Sequence, residues 1–209
     1  SEAERQYTNA LVAHPESARA RFPLAEALLE LDRNEQALPL IENALELQPG
    51  SRTGRLLLAR AQEWDAARET LAALQAEFPD DYDIKRRLGL HLAPREPEAA
   101  LECLSLEDWN SALARCGCLR ALERLEEAVV AAEAATALAP DRLEAWLALG
   151  WSALEAGATE RASEAFDGAL GCGVADVEAL AGKAAALEAA GKPADELRRL
   201  LAEAEPELA

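Results

Sequence analysis

Small and apolar residues recur along this chain with one spacing. Counting from an alanine, an apolar residue stands four positions on, a small or apolar residue seven on, and a proline twelve on. The set occurs as Ala3, Tyr7, Ala10 and Pro15, then as Ala37, Ile41, Ala44 and Pro49, then as Ala67, Leu71, Leu74 and Pro79. It returns as Ala128, Ala132, Ala135 and Pro140, and as Ala162, Phe166 and Ala169 with Val174 in the proline place. Residues with that spacing share one face of an α-helix. Alanine on the face lets a neighbouring helix come close, and proline ends the helix or opens the next. Each set therefore predicts a helix followed by a stop.

The stretches ahead of the sets carry helical stripes of their own. Trp146, Leu149, Gly150 and Ala153 precede a break at Gly157, and Arg21, Leu24, Ala25 and Leu28 precede a turn at Asp32, Arg33 and Asn34. Ala112, Arg115, Cys116 and Leu119 form a third stripe. Each unit thus reads as helix, turn, helix, turn. Successive copies stand 34, 30, 61 and 34 residues apart, so the long gap holds a unit without a clean copy. A self-similar period of this size marks a repeat array in which each helix pair buries its face on the next.

The two patterns together resemble the tetratricopeptide repeat (TPR) family. Its run of Trp, Leu-Gly, Tyr, then Ala, Phe and Pro is nearly met between Trp146 and Val174, with Ala153 in the Tyr place and Val174 in the Pro place. The resemblance implies an all-α, right-handed superhelical solenoid of stacked antiparallel helix pairs. In that register residues 1–17 are the second helix of a truncated unit, which reads as an excised piece, and 18–51 are a full repeat. Residues 52–81 are a short repeat-like unit, 82–108 a degenerate short one, 109–142 and 143–176 full repeats, and 177–209 a C-terminal repeat-like or capping unit. Unit 52–81 takes its first helix from Arg55 to Gln62. Unit 82–108 has a first helix from Asp83 to Leu92, is interrupted at Pro94 and Pro97, and keeps only Glu98 to Leu104 for a second. In the last unit Leu197, Leu201 and Ala204 make an apolar stripe beside a polar face.

Composition agrees with helices. Half of the 209 residues are apolar, yet only 4% are aromatic, against the Val, Ile, Thr and Tyr a β-sandwich wants. Thirty-nine acids face 21 bases for a net charge of −18, which repels nucleic acid and anionic lipid. Of the cations only Lys85, Lys183 and Lys192 are lysines, an Arg bias that fits a GC-rich bacterial genome. No apolar run approaches the roughly 20 residues of a membrane span, and no signal peptide opens the chain. Membrane contact is not expected, and cytoplasm is the favoured compartment on this evidence.

Catalytic chemistry finds no purchase. His14 and His91 have no nucleophile and third partner beside them in sequence. Cys116 and Cys118 point about 200° apart on a helix, so they do not share one metal, and Cys116 takes the small-residue place of Ala25 and Gly150. Cys172 lies in a Gly-Cys-Gly turn and is expected to be exposed. Gly168, Gly171 and Gly173 lack the phosphate-loop spacing. The acidic pairs Glu126-Glu127 and Asp80-Asp81 read as solvated faces. No cofactor, metal, small-molecule substrate or enzymatic activity is expected.

Binding remains. In the family the first helix of each unit lines a concave groove, with its second, fifth and ninth positions facing the ligand. Carried over, these are Arg19, Phe22 and Glu26, then Leu56 and Arg60, then Arg86 and Leu90. Later units supply Leu113, Arg120, Glu144, Leu147 and Trp151, with Arg120 one turn beyond the usual set. Aromatic and aliphatic groups beside arginines compose interaction hot spots. An arginine line would suit an acidic or C-terminal-carboxylate peptide. Phe22 and Glu26 stand where the family's chaperone-tail clamp has polar and basic groups, which argues against chaperone C-termini. Two functional readings stand. One is a non-catalytic scaffold binding a partner protein or peptide in the groove. The other is a regulatory or recruiting module cut from a larger enzyme or cell-envelope assembly machine. The ends of a repeat stack also offer a route to self-association.

Overall fold

The repeated alanine sets become the buried faces of the second helices. In the computed structural model, which describes residues 18–173 and 176–204, Ala37, Ile41 and Ala44 are fully buried, as are Ala128, Ala132 and Ala135, and Ala162, Phe166 and Ala169. Ala67, Leu71 and Leu74 are buried likewise. The described residues form twelve α-helices and no strand. The sets at Ala3 to Pro15, His14, and the helix expected over residues 1–17 lie outside the described residues.

The chain packs into two compact units, Ser1–His91 and Leu92–Ala209. The first contains α1 (Ala18–Leu29), α2 (Asn34–Leu47), α3 (Arg52–Ala61), α4 (Trp64–Glu77) and nearly all of α5 (Tyr82–Leu92). In it α1 packs on α2, α2 on α3 and α3 on α4, and the first helices α1 and α3 also touch. The second unit contains α6 (Pro97–Cys103), α7 (Trp109–Ala121), α8 (Leu125–Leu138), α9 (Leu143–Glu155), α10 (Thr159–Gly171), α11 (Val177–Ala189) and α12 (Asp195–Ala204). Each of these helices packs on the next, and α7, α9 and α11 form a row of their own. The division falls inside the short unit expected over 82–108, whose second helix, α6, has only 7 residues.

Two kinds of helix start recur. Of the first helices, α3, α5, α7 and α11 open on a side-chain cap, whereas Arg142 ahead of α9 supplies none: Ser51 Oγ accepts the Gly54 amide at 3.1 Å, and Asp108 and Asp176 accept the amides of Ser111 and Ala179 at 2.9 Å. Asp81 does the same for Ile84 at 3.1 Å. Helix α3 therefore starts at Arg52, three residues ahead of the sequence expectation, because Ser51 satisfies its first turn. The turns into α2, α8, α10 and α12 are instead closed by main chain alone. Arg33, Arg124, Ala158 and Lys192 donate to the carbonyls of Leu28, Leu119, Ala153 and Leu187 at 2.8–2.9 Å, which needs a left-handed residue one position earlier. That residue is Asp32, Glu123, Gly157 and Gly191, with φ of 54°, 58°, 77° and 68°.

Candidate functional site

The residues expected to face a ligand separate into two groups, one in each unit. In the first unit α3 contributes Leu56, Ala59 and Arg60, α4 contributes Leu71, and α5 contributes Arg87, Leu90 and His91 to one cleft of about 280 Å³. Three residues of the sequence-derived set, Leu56, Arg60 and Leu90, thus converge. Arg86 does not line the cleft. It pairs with Asp83 at 3.1 Å, and its neighbour Arg87 takes the wall position.

One side of this cleft is locked by a reciprocal pair. Trp64 and His91 stack with ring centroids 5.3 Å apart and planes 19° from parallel. Trp64 Nε1 donates to the His91 carbonyl at 3.2 Å, and His91 Nε2 lies 2.9 Å from the Trp64 carbonyl. A carbonyl only accepts, so this contact requires the tautomer with hydrogen on Nε2. His91 is therefore a packing residue with one edge in the cleft. Its partner lies 27 residues away, so nothing beside it in sequence signals this role.

Farther along α1, Phe22 is half-buried and packs against the cluster of Leu24, Leu28, Ile41 and Leu57. Its ring lies over Gly54, where a Cβ would stand 2.6 Å from Cε1 and Cζ. Phe22 thus serves the junction of α1 and α3, and Glu26 on the same helix is exposed. The side chain of Arg19 lies outside the described residues.

In the second unit Leu113, Arg120, Leu147 and Trp151 sit on the α7 and α9 row. Leu113 packs beside Ala112, Ala135 and Ala145. Leu147 and Trp151 pack on Phe166, Ala153, Ala162 and Ala186. The Trp151 ring meets Phe166 edge-on at 5.2 Å, and its Nε1 donates to Glu178 on α11 at 2.9 Å. Trp151 is consequently half-buried, with one edge left to solvent. Trp146 covers Gly168 and donates to the Pro140 carbonyl at 2.8 Å.

Arg60, Arg86 and Arg120 are not an open line of charge. Arg60 pairs with Glu30 at 3.1 Å, and Arg120 forms a two-pronged pair with Glu155, whose Nε–Oε2 arm is 2.8 Å. These hydrogen bonds hold the Glu155 carboxyl below its ordinary pKa and raise that of Arg120. Exposed pairs of this kind are worth only about 0–1 kcal/mol, so a ligand carboxylate can compete for them. The cysteines behave as the packing of α7 demands. Cys116 and Cys118 are buried, Cys116 Sγ shares a hydrogen bond with Ser152 Oγ at 3.2 Å, and burial pushes both thiols up in pKa. Cys172 is half-buried, not open, because Sγ turns back to the Gly168 carbonyl at 3.5 Å. Among the described residues no three His, Cys, Asp or Glu side chains are grouped to hold a metal ion.

Comparison with known proteins closes the question of family. Residues 1–52 and 119–176 match one tetratricopeptide repeat profile, and residues 52–81 match a second. The chain belongs to the tetratricopeptide repeat family. Residues 82–118, which contain α6, and residues 177–209 lie outside both profiles. Among solved structures, PilW, a widely conserved type IV pilus biogenesis factor, superposes with a TM-score of 0.77 at 20% identity, covering 91% of this chain and 94% of PilW. PilF of Pseudomonas aeruginosa gives 0.75 at 16% identity over 91% and 92% of the two chains. YrrB, a TPR protein with an unusual peptide-binding site, gives 0.61 at 21% identity over 85% and 97%. At these identities the likeness establishes the all-α TPR solenoid fold. No curated protein matches the sequence significantly.

Proposed function

We propose that this TPR protein is a non-catalytic interaction scaffold that binds a partner peptide on its first helices, anchored in the α3–α5 cleft. The observation that carries this reading is the cleft itself. It has an aliphatic floor of Leu56, Leu71 and Leu90 and a cationic rim of Arg60 and Arg87. Residues spaced one repeat apart reach it together, as an extended ligand crossing successive helices requires. The rim pairs with Glu30 and Asp83 are exposed and exchangeable, so the fitting ligand presents an aliphatic side chain and a carboxylate. In the second unit Leu147 and Trp151 give the α7–α9 row an apolar character of its own. The peptide-binding site of YrrB and the biogenesis role of PilW favour a scaffold by analogy of fold alone. The recruiting-module reading uses the same surface and differs only in what sequence is attached.

The test selects peptides from a random phage-displayed library on the immobilised chain and titrates one of them calorimetrically. Leu90→Ala and Arg87→Glu each weaken it by about tenfold or more, with helical circular dichroism unchanged. Unchanged affinity in both variants places the peptide elsewhere and refutes the cleft.

A further inference from the structure

Away from the α3–α5 cleft, the second unit carries an apolar hollow that none of the described helices covers. Helix α6 has 7 residues where α2, α4 and α8 have 14, so it stops two turns early. Arg115 seals its end by donating to the carbonyls of Leu101 at 2.8 Å and Leu104 at 3.0 Å. The chain then leaves the helix and carries Leu106 out at 40% exposure. Leu106, Arg115, Leu119, Glu127, Val130 and Ala131 enclose a hollow of about 170 Å³. Its floor is the buried Leu119, while Val130 on its wall is 55% exposed, more than any other large apolar side chain described. This volume is below that of small-molecule sites and suits one aliphatic side chain.

The hollow shares Glu127 with a second, polar cleft of about 420 Å³. That cleft is lined by Glu123, Glu126, Glu127 and Glu155 against Arg124 as its one cation. Glu127 is engaged by Arg124 at 2.7 Å and Glu155 by Arg120, whereas Glu123 and Glu126 have no ion-pair partner among the described residues. An apolar seat thus adjoins an excess of negative charge on a chain whose net charge is −18. A second copy of so acidic a chain is repelled here, as is an anionic membrane.

We infer that Leu106, Leu119 and Val130 seat an aliphatic anchor of a basic amphipathic segment from a partner protein, with its Lys or Arg residues held over Glu123, Glu126 and Glu127. This surface is independent of the α3–α5 cleft. The probe is a fluorescein-labelled amphipathic helical peptide of leucine and lysine, followed by anisotropy, with a leucine–glutamate peptide as its charge-reversed control. The leucine–lysine peptide binds, and the leucine–glutamate peptide does not. Val130→Asp and Leu106→Asp each weaken binding by about tenfold, although each adds attractive negative charge. Leu138→Asp, an equally exposed leucine elsewhere on α8, leaves it within about twofold, as does Leu90→Ala in the first-helix cleft. Four outcomes overturn the inference: no binding of the leucine–lysine peptide, equal binding of both peptides, undiminished binding by the hollow variants, or an equal loss from Leu138→Asp or Leu90→Ala.

Discussion

The packing around Phe166 makes a demanding quantitative test. One edge of its fully buried ring lies against both Gly150 of α9 and Gly182 of α11. A Cβ on Gly182 would stand 2.2 Å from Cε1 and 2.3 Å from Cζ, and one on Gly150 2.6 Å from both atoms. A ring that fits against two helices at once has little room to yield to a Cβ on either. In an unencumbered helix interior Gly→Ala adds about 1 kcal/mol. Overpacking a core costs about 1–3 kcal/mol, and the blocked ring puts this site at the upper end. Gly182→Ala should therefore lose about 2 kcal/mol net. Phe166→Leu removes the obstructing edge. In that background Gly182→Ala should cost nothing or stabilise by up to about 1 kcal/mol, a coupling of about 2–3 kcal/mol between the two sites. Urea titration by far-ultraviolet circular dichroism measures all four corners of the cycle, with the denaturant slope held as a check that the unfolding unit is unchanged. A Gly182→Ala penalty equal in both backgrounds to within about 0.5 kcal/mol refutes the reasoning, because the two glycines would then not be set by the ring.

Three further outcomes follow from the geometry. Arg52 donates to Asp81 at 2.8 and 2.9 Å and Ile84 N–H at 3.1 Å, and these bonds hold the Asp81 carboxyl below its ordinary pKa. The folded value lies below the unfolded one, so the contribution is complete above about pH 4 and is lost as pH falls through the folded value. The stability difference between wild type and Asp81→Asn should shrink as urea midpoints are taken from neutral pH to below about pH 4, and a constant difference contradicts the assignment. In thiol titration Cys103 and Cys172 should react in the folded protein while Cys116 and Cys118 react only with unfolding; a fast phase that survives Cys103→Ser with Cys172→Ser would show otherwise. Gly157→Ala should lower stability by about 1 kcal/mol, since φ of 77° is costly for a Cβ, whereas Glu123→Gly at φ of 58° should leave stability unchanged or raise it; thermal denaturation separates the two signs.

The helix faces were legible because burial on a helix is periodic: Ala37, Ile41 and Ala44, or Ala162, Phe166 and Ala169, announce their own core. Glu123 was illegible as a left-handed turn residue because an acidic side chain carries no such signal. It stands 34 residues before Gly157, however, as Gly157 stands before Gly191, so the repeat period exposes it. The same period explains the larger miss, the arginines. Arg60 meets Glu30 across 30 residues, Arg52 meets Asp81 across 29, and Arg120 meets Glu155 across 35. Helices one repeat apart lie side by side, so opposite charges near that separation form rungs between neighbours, as i and i+4 charges do along one helix. Arg60 and Arg120 read singly looked like parts of a ligand-binding line; read with the period, both are engaged by the protein's own carboxylates, while Arg86 pairs with Asp83 on its own helix. A peptide crossing α3 and α5 must therefore replace Glu30 or Asp83 with its own acid, a near-even exchange that adds little affinity. On the proposed reading its binding energy comes mainly from the aliphatic floor of Leu56, Leu71 and Leu90, which Leu90→Ala tests directly, whereas Arg87→Glu weakens the peptide by setting a repulsive charge where its carboxylate would sit.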